Sequence, residues 1–159
     1  MRLTQHTDYA LRVLMQAGLS NGRLIRISDI ADTFGISRNH LTKIVHQLGA
    51  RGYLETVQGR QGGIRLARPP ASIVVGRVVR DFEEGFALVE CFDRDRCACR
   101  IQPACVLKDA LGEALESFLA VLDGVTLADL LAPRRTLHTL LTVPEAGRLM
   151  NETHGAPPA

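Results

Sequence analysis

The segment between residues 28 and 66 constrains the fold most strongly, because two short helical patterns and a hairpin pattern follow one another within it. Ser28 is placed to cap the first of these two helices. The apolar face of this helix consists of Ile30, Ala31 and Phe34. Gly35 then ends the helix as a C′ glycine does, and Ser37 caps a second helix. Two helices joined by so short a turn predict a helix-turn-helix unit.

The second helix, which we expect to extend to about residue 50, has two faces of opposite character. Its apolar face repeats at helical spacing and consists of Leu41, Ile44, Val45 and Leu48. The opposite face carries donors and acceptors, namely Arg38, Asn39, Thr42, Lys43 and His46. A solvated helix surface is the simple interpretation of such a face. A recognition helix that reads base edges in the major groove is the functional interpretation.

The residues after the second helix favour the recognition helix. Residues 53–57 and 64–66 have strand character, and between them lies a glycine-rich turn with Arg60 at its tip. A hairpin directly after a recognition helix predicts a wing, with Arg60 and Arg65 placed to contact phosphates or the minor groove. A nucleotide-binding loop is the other use of such glycines. It requires a strand–loop–helix context and a Lys-Ser/Thr pair, which are missing here.

We therefore predict a mainly α fold with a small β wing, in which residues 1–70 form a winged helix-turn-helix domain. This domain holds ten Arg and Lys against four Asp and Glu, a net charge of +6, which suggests a polyanionic partner. Residues 71–132 hold six Arg and Lys against eleven Asp and Glu, a net charge of −5. We expect double-stranded DNA as the partner. The predicted DNA contacts are Ser37, Arg38, Asn39, His40, Thr42, Lys43, Arg60 and Arg65.

Further helical patterns flank this unit. We expect a first helix over about residues 4–19, where Asp8 and Arg12 are spaced to form an ion pair. A short strand is expected at 24–27. Helices are expected over 73–84, with Val75, Val78, Val79 and Phe82 facing inward, over 106–122 and, capped by Thr126, over 127–131. Residues 71–132 would form a second domain. We expect residues 133–159 to be a partly disordered tail.

The helix predicted over 106–122 is the longest, and its apolar face is broad. That face consists of Leu107, Leu111, Ala114, Leu115, Phe118, Leu119 and Leu122. A single exposed helix of a small domain does not need so much apolar surface, so a pairing surface for a second subunit is the natural use. Packing against the wing domain of the same chain is the alternative.

The chain has no run of about 18 apolar residues, and its N-terminal residues are polar, so we expect neither a membrane span nor a signal segment. We expect a cytoplasmic protein. In that compartment, clustered cysteines bind metal or take part in redox chemistry more often than they form structural disulfides. An iron–sulfur redox enzyme would need catalytic residues or a second cofactor site, and we find neither, so we do not expect an enzyme.

All four cysteines lie within fifteen residues, at Cys91, Cys97, Cys99 and Cys105. Thiolates are soft ligands that suit zinc, copper(I) and iron–sulfur clusters. Structural zinc sites usually contain two closely spaced cysteine pairs or a Cys/His set, and this segment has neither. The wide spacing favours an iron–sulfur cluster. A zinc site and a disulfide remain the alternatives.

Several of these motifs occur together in a known family. They are Leu3-Thr-x-x-Thr-Asp8-Tyr-Ala-Leu-Arg12, Ser37-Arg-Asn-His40, Gly59-Arg-x-Gly-Gly-Ile-Arg-Leu66 and Pro103-Ala-Cys105. From residue 1 to about residue 131, the chain resembles the iron–sulfur winged-helix transcriptional regulators typified by NsrR, IscR and RirA. It most resembles the nitric-oxide-sensing NsrR type. The resemblance implies a homodimer, a long dimerisation helix and a cluster bound by the segment 91–105.

The resemblance also implies three cysteine ligands, which map onto Cys91, Cys99 and Cys105, with Cys97 as an alternative ligand. NsrR-like members add an aspartate from the partner's first helix, which maps onto Asp8. The alternative role of Asp8 is a purely structural ion pair with Arg12. IscR-like members place a histidine just after the third cysteine, where this chain has Val106-Leu-Lys. RirA-like members share the spacing of the three cysteines but tend to lack the aspartate.

The function implied by the resemblance is that of a repressor that binds DNA as a dimer and depends on a [4Fe–4S] cluster, with a [2Fe–2S] cluster as the alternative. Nitric oxide would be the signal that releases it. An iron-availability regulator of the RirA type and a cluster-status regulator of the IscR type are the alternatives. A zinc-stabilised DNA-binding scaffold without a sensing role also remains open.

Overall fold

A computed structural model describes residues 2–92 and 98–141. This part of the chain contains seven α-helices and one two-stranded antiparallel sheet. The elements in order are α1 (Gln5–Leu19), α2 (Ile27–Phe34), α3 (Arg38–Ala50), β1 (Leu54–Val57), β2 (Gly63–Leu66), α4 (Val75–Phe82), α5 (Val106–Asp123), α6 (Leu127–Leu130) and α7 (Arg134–Leu141). The fold is mainly helical with a small wing, as predicted. None of the helices described is long and apolar enough to cross a membrane.

Helix α1 lies at the centre of the fold. It begins after Thr4, whose side chain accepts a hydrogen bond from the Thr7 N–H. Its buried face includes Ala10, Val13 and Leu14, each 0% exposed. It contacts α3, α4, α6, α7 and β2, so one core joins the predicted DNA-binding domain to the later helices. Full burial of a side chain such as Val13 or Leu14 stabilises a fold by about 1.5–3 kcal/mol.

The helix-turn-helix forms as predicted, with one correction. Gly35 has a φ of 64°, the left-handed conformation that glycine adopts most readily, and it ends α2. Ser37 caps α3 by accepting a hydrogen bond from the His40 N–H. The prediction that Ser28 caps α2 was wrong, because the N-cap position is Arg26. Ser28 therefore lies inside the first turn, and its hydroxyl donates to the Asp29 carboxylate instead.

The wing is the β1–β2 hairpin, in which Leu54 lies opposite Leu66 and Glu55 lies opposite Arg65. The strand predicted at 24–27 is reduced to a single antiparallel bridge between Ile25 and Ile64. Gly63 allows this bridge, because a Cβ atom there would lie 2.6 Å from the Ile25 carbonyl oxygen. The hairpin is thereby attached to the chain that enters α2.

Helix α4 buries the apolar residues predicted for it, which are Val75, Val78, Val79 and Phe82. It is shorter than the predicted range 73–84. Ile73 accepts a hydrogen bond from the Leu127 N–H and Val74 forms an antiparallel bridge with Thr126 before the helix begins, and Glu83 is extended at its end. Arg80 of α4 donates twice to the Asp123 carboxylate of α5, at 2.5 and 2.7 Å. Helix α5 lies entirely within the described residues, and none of its residues is buried.

Helix α7 lies at the start of the segment 133–159, which we expected to be a partly disordered tail. Arg134 Nη2 donates to the Leu19 carbonyl oxygen over 2.8 Å and also to the Asn21 side chain, which joins α7 to the carboxyl end of α1. Leu137 and Leu141 pack against the core. Residues 142–159, the rest of the predicted tail, lie outside the described residues.

Candidate nucleic-acid interface and metal centre

Helix α3 separates its two faces as the sequence predicts. Leu41 and Leu48 are 0% exposed, whereas the polar residues of the opposite face are exposed. Two of the predicted DNA contacts have structural roles, because Ser37 caps the helix and the Thr42 hydroxyl donates to the Arg38 carbonyl over 2.8 Å. In the described chain, no hydrogen bond or ion pair engages the side chains of Arg38, Asn39, His40 and Lys43. They form an exposed polar surface on the face of α3 away from the core.

The two wing arginines differ in their surroundings. Arg60 is exposed at the turn and has no ion-pair partner within residues 2–92 and 98–141. Arg65 instead donates through Nε and Nη2 to the two oxygens of Glu55, at 3.0 Å each. Hydrogen bonding from Arg65 and then its positive charge lower the pKa of Glu55. Sequence reasoning missed Glu55, although the hairpin register places it directly opposite Arg65.

Tyr53 attaches the start of the hairpin to α4. It is 1% exposed, and its hydroxyl donates to Asp81 Oδ2 over 2.6 Å. Burial first, and the hydrogen bond to Asp81 second, raise the pKa of Tyr53 to about 12. The Arg68 guanidinium lies 4.4 Å from the centre of the Tyr53 ring. These contacts fix the wing relative to the helix that leads into the cysteine segment.

The cysteine segment connects α4 to α5. Cys91 lies in a 3₁₀ turn, Glu90–Phe92, and is half-buried, whereas Cys99 is exposed. Cys105 is half-buried at the N-cap of α5, after a second 3₁₀ turn, Gln102–Ala104. All three thiols are free. Cys97 lies outside the described residues.

Three free thiols fit an iron–sulfur cluster by donor type, because thiolates are the usual ligands of such clusters. The partial positive charge at the N-terminus of α5 also favours a negatively charged group beside Cys105. The described residues of one chain nevertheless contain no group of three His, Cys, Asp or Glu side chains arranged to bind a metal ion. The structure thus places Cys91, Cys99 and Cys105 in one connecting segment but does not bring them together as a metal site.

Asp8 lies on α1 and forms an ion pair with Arg12, the plain structural role considered for it. The Arg12 guanidinium also lies 5.9 Å from the centre of the Tyr9 ring and 5.6 Å from that of Phe34. Asp8 is about half exposed, so it remains accessible from outside the chain. The described structure does not bring it together with the cysteines as a metal-binding group.

Glu83 connects the start of α1 to the end of α4, a role that sequence reasoning missed. Glu83 Oε1 accepts hydrogen bonds from the Thr4 N–H at 2.8 Å, the Thr4 hydroxyl at 3.1 Å and the Thr7 hydroxyl at 2.5 Å. Burial acts to raise the pKa of Glu83, but the hydrogen bonds from Thr7 and Thr4 outweigh it and lower the pKa overall. The helix that carries Asp8 is thereby joined to the chain that leads to Cys91.

The fold and these surfaces agree with the comparison to protein families. The model of the Rrf2 family, described as an iron-dependent transcriptional regulator, matches residues 3–133. The chain belongs to the Rrf2 family. It is accordingly a transcriptional regulator and not an enzyme, as the sequence predicted.

Curated relatives within this family are similar over most of their length. The HTH-type transcriptional regulator NsrR of Geobacillus kaustophilus is 55% identical over 142 residues, which cover 89% of this chain and 97% of that protein. The NsrR of Bacillus subtilis is 49% identical over 146 residues, which cover 91% of this chain and 100% of that protein. These relatives confirm the resemblance to the NsrR type.

Solved structures confirm the Rrf2 fold. IscR of T. potens superposes with a TM-score of 0.66 at 23% identity, covering 93% of this chain and 96% of that one. The oxidized form of Staphylococcus aureus CymR gives a TM-score of 0.65 at 22% identity, covering 83% and 97% of the two chains. At these identities the likeness concerns the fold alone.

Proposed function

We propose that this Rrf2-family regulator is a cytoplasmic repressor that binds duplex DNA as a homodimer, depends on an iron–sulfur cluster and is released by nitric oxide. The observation that carries the proposal is the division of α3, whose apolar face is buried while its polar face has exposed side chains. Such a helix, followed directly by a hairpin with an exposed Arg60, is suited to the major groove.

For DNA contact, Arg38, Asn39, His40 and Lys43 would reach base edges or phosphates from α3, and Arg60 would hold the wing on the backbone. Ser37 and Thr42 would act mainly through the helix, because their hydroxyl groups already bond to its backbone. Arg65 would contact phosphate only together with Glu55, or after separating from it.

For dimerisation, α5 is the proposed pairing element. Val106 is 80% exposed, Leu107 is 64% exposed and Val121 is 68% exposed, although all three are apolar. Helix α5 has 18 residues, which corresponds to about 27 Å of helix. Exposed apolar side chains at both ends of a helix of that length suit the same helix of a second copy.

For the cluster, Cys91, Cys99 and Cys105 would bind from one chain, and Asp8 would bind from the partner's α1. When bound, the cluster would supply iron atoms that react with nitric oxide. Thiols of one subunit and a carboxylate of the other would thereby fix the separation of the two α3 helices to suit a two-fold operator. Without this connection Asp8 retains Arg12 as its partner, and the two recognition helices lose their fixed register.

A DNA-binding assay on anaerobically purified protein tests the proposal. One portion receives nitric oxide, a second receives an iron chelator, and a third receives neither. Release of DNA by nitric oxide, with slower or no release by the chelator, is the expected result. Release by the chelator alone would contradict it and favour the RirA-type alternative, which the spacing of Cys91, Cys99 and Cys105 also fits. No release in either portion would favour a DNA-binding scaffold without a sensing role.

A further inference from the structure

A groove lies between the N-terminal turns of α1 and the recognition helix α3. Its volume is about 210 Å³, and it is lined by Gln5, His6, Tyr9, His40, Lys43 and Ile44. No acidic residue is among the lining residues described, and five of the six carry a hydrogen-bond donor or a ring nitrogen. The groove is therefore an electropositive to neutral concavity on the flank of the proposed DNA-binding face.

Four polar groups in the groove are available to a ligand. In the described structure, the Gln5 amide, the Tyr9 hydroxyl, the His40 ring and the Lys43 amine make no hydrogen bond or ion pair with other side chains or backbone groups. Donors that converge from two helices on one concavity suit an anion with several acceptor oxygens. A phosphate group has that chemistry.

The shape of the groove is fixed by His6, which contacts both neighbouring helices. Its Nε2 lies 2.7 Å from Gln47 Oε1 on α3, a hydrogen bond that joins the two walls. On its other side, the His6 ring lies 5.6 Å from the centre of the Phe82 ring on α4. Because the first turn of α1 is held at both sides, little ordering would accompany binding of a ligand.

The charge of its lining residues distinguishes this groove from a neighbouring cavity. A second cavity, of about 630 Å³, lies on the far side of His6 and is lined in part by Asp81, Glu83 and Glu84. Those carboxylates disfavour an anion, even with Arg51 in the same wall. An anionic ligand that approaches α3 would accordingly bind on the side of Lys43.

We propose that the groove binds a backbone phosphate of DNA next to the base pairs under α3, with Gln5 and Tyr9 as contacts from α1. The inference rests on the proposed DNA binding and adds a contact from outside the helix-turn-helix and wing. It also places DNA contacts on the helix that carries Asp8, with Gln5 one turn before that residue and Tyr9 directly after it. The position of α1 and the register on DNA would then be linked directly.

The test uses full-length protein and a fluorescent duplex of about 30 base pairs, with affinity measured by anisotropy over a series of salt concentrations. Gln5→Lys adds a cation to the groove. We expect it to tighten binding by roughly 3- to 10-fold and to steepen the salt dependence by about one unit. Gln5→Glu should weaken binding by a similar factor. Opposite effects at one position cannot both result from a loss of folding.

Thr136→Lys is the matched control, because it adds the same charge at an exposed position on α7, near the opposite end of α1. If Gln5→Lys binds no more tightly than Thr136→Lys, the phosphate groove is wrong. If Lys43→Gln still weakens binding in that case, the proposed DNA surface stands without the groove. If the unchanged protein shows no salt-dependent affinity for duplex DNA, both proposals fail.

Discussion

Asp8 and Arg12 lie one helical turn apart on α1, and Arg12 Nη2 lies 2.8 Å from Asp8 Oδ2. The side chains are 46% and 43% exposed, respectively. An exposed pair at this spacing contributes only about 0.3–0.5 kcal/mol. Asp8 can therefore leave Arg12 for another partner at small cost, which suits a residue proposed to bind a cluster in the other subunit.

Asp8→Asn should separate these two roles. We expect the cluster-free protein to lose less than about 0.5 kcal/mol of its free energy of unfolding in urea, because the ion pair is exposed. The cluster-loaded protein should lose its visible absorbance several-fold faster under nitric oxide. Asp32→Asn, at an exposed site on α2, is the control. Equal cluster lifetimes in the two variants would show that Asp8 is not a ligand.

Val121→Glu should produce a monomer. Val121 is 68% exposed on α5, so a carboxylate there should disturb the proposed subunit interface but not the core of one chain. The control is Ala132→Glu, which adds the same carboxylate at an exposed position outside α5. Sedimentation equilibrium gives the molar mass of each variant. A dimeric Val121→Glu protein with unchanged affinity between subunits would place the interface elsewhere.

Glu83→Gln should destabilise the protein by about 1 kcal/mol at neutral pH, after allowance for solvent exposure, since a carboxylate that accepts three hydrogen bonds becomes an amide. The pKa of Glu83 is lowered below 4.5 in the folded state, so its stabilisation is present above that value and is lost as pH falls through the folded pKa. Urea unfolding at neutral and acidic pH measures the difference. Glu84→Gln, at the neighbouring exposed residue, should change neither value; an equal loss in both variants would contradict the role of Glu83.

Tyr53→Phe removes the hydrogen bond to Asp81 and should cost about 1 kcal/mol at neutral pH. The pKa of Tyr53 is raised from 10.0 to about 12 by burial and by Asp81, so its contribution is complete below pH 10 and declines as pH rises toward 12. The destabilisation relative to the unchanged protein should therefore shrink in alkaline urea titrations. A difference that stays constant with pH would show that Tyr53 is not ionised differently in the two states.

The features predicted correctly from the sequence depend on local periodicity. The buried face of α3, the caps at Ser37 and Thr126 and the glycine stop at Gly35 each involve residues within one or two turns. Contacts between residues this close in the chain can be predicted from the residue pattern alone. The same reasoning predicted four of the five buried residues of α4 and the start of α5 at residue 106.

The features that were missed depend on contacts between distant residues. Helix α7 is held by Arg134 on the Leu19 carbonyl, 115 residues away, and Glu83 accepts bonds from Thr4, 79 residues away. Neither leaves a periodic pattern in the sequence. The Glu55–Arg65 pair could have been found from the hairpin register, which brings the two residues opposite each other. The predicted cap Ser28 lies two residues after the observed N-cap, Arg26, because α2 begins at Ile27.

The most direct test of the account is the iron and acid-labile sulfide content of anaerobically purified protein, compared with that of Cys105→Ser. We predict about four iron and four sulfide atoms per chain in the unchanged protein, and loss of both in the variant. Zinc in place of iron, with no sulfide in either protein, would contradict the cluster and leave the cysteine segment as a structural metal site.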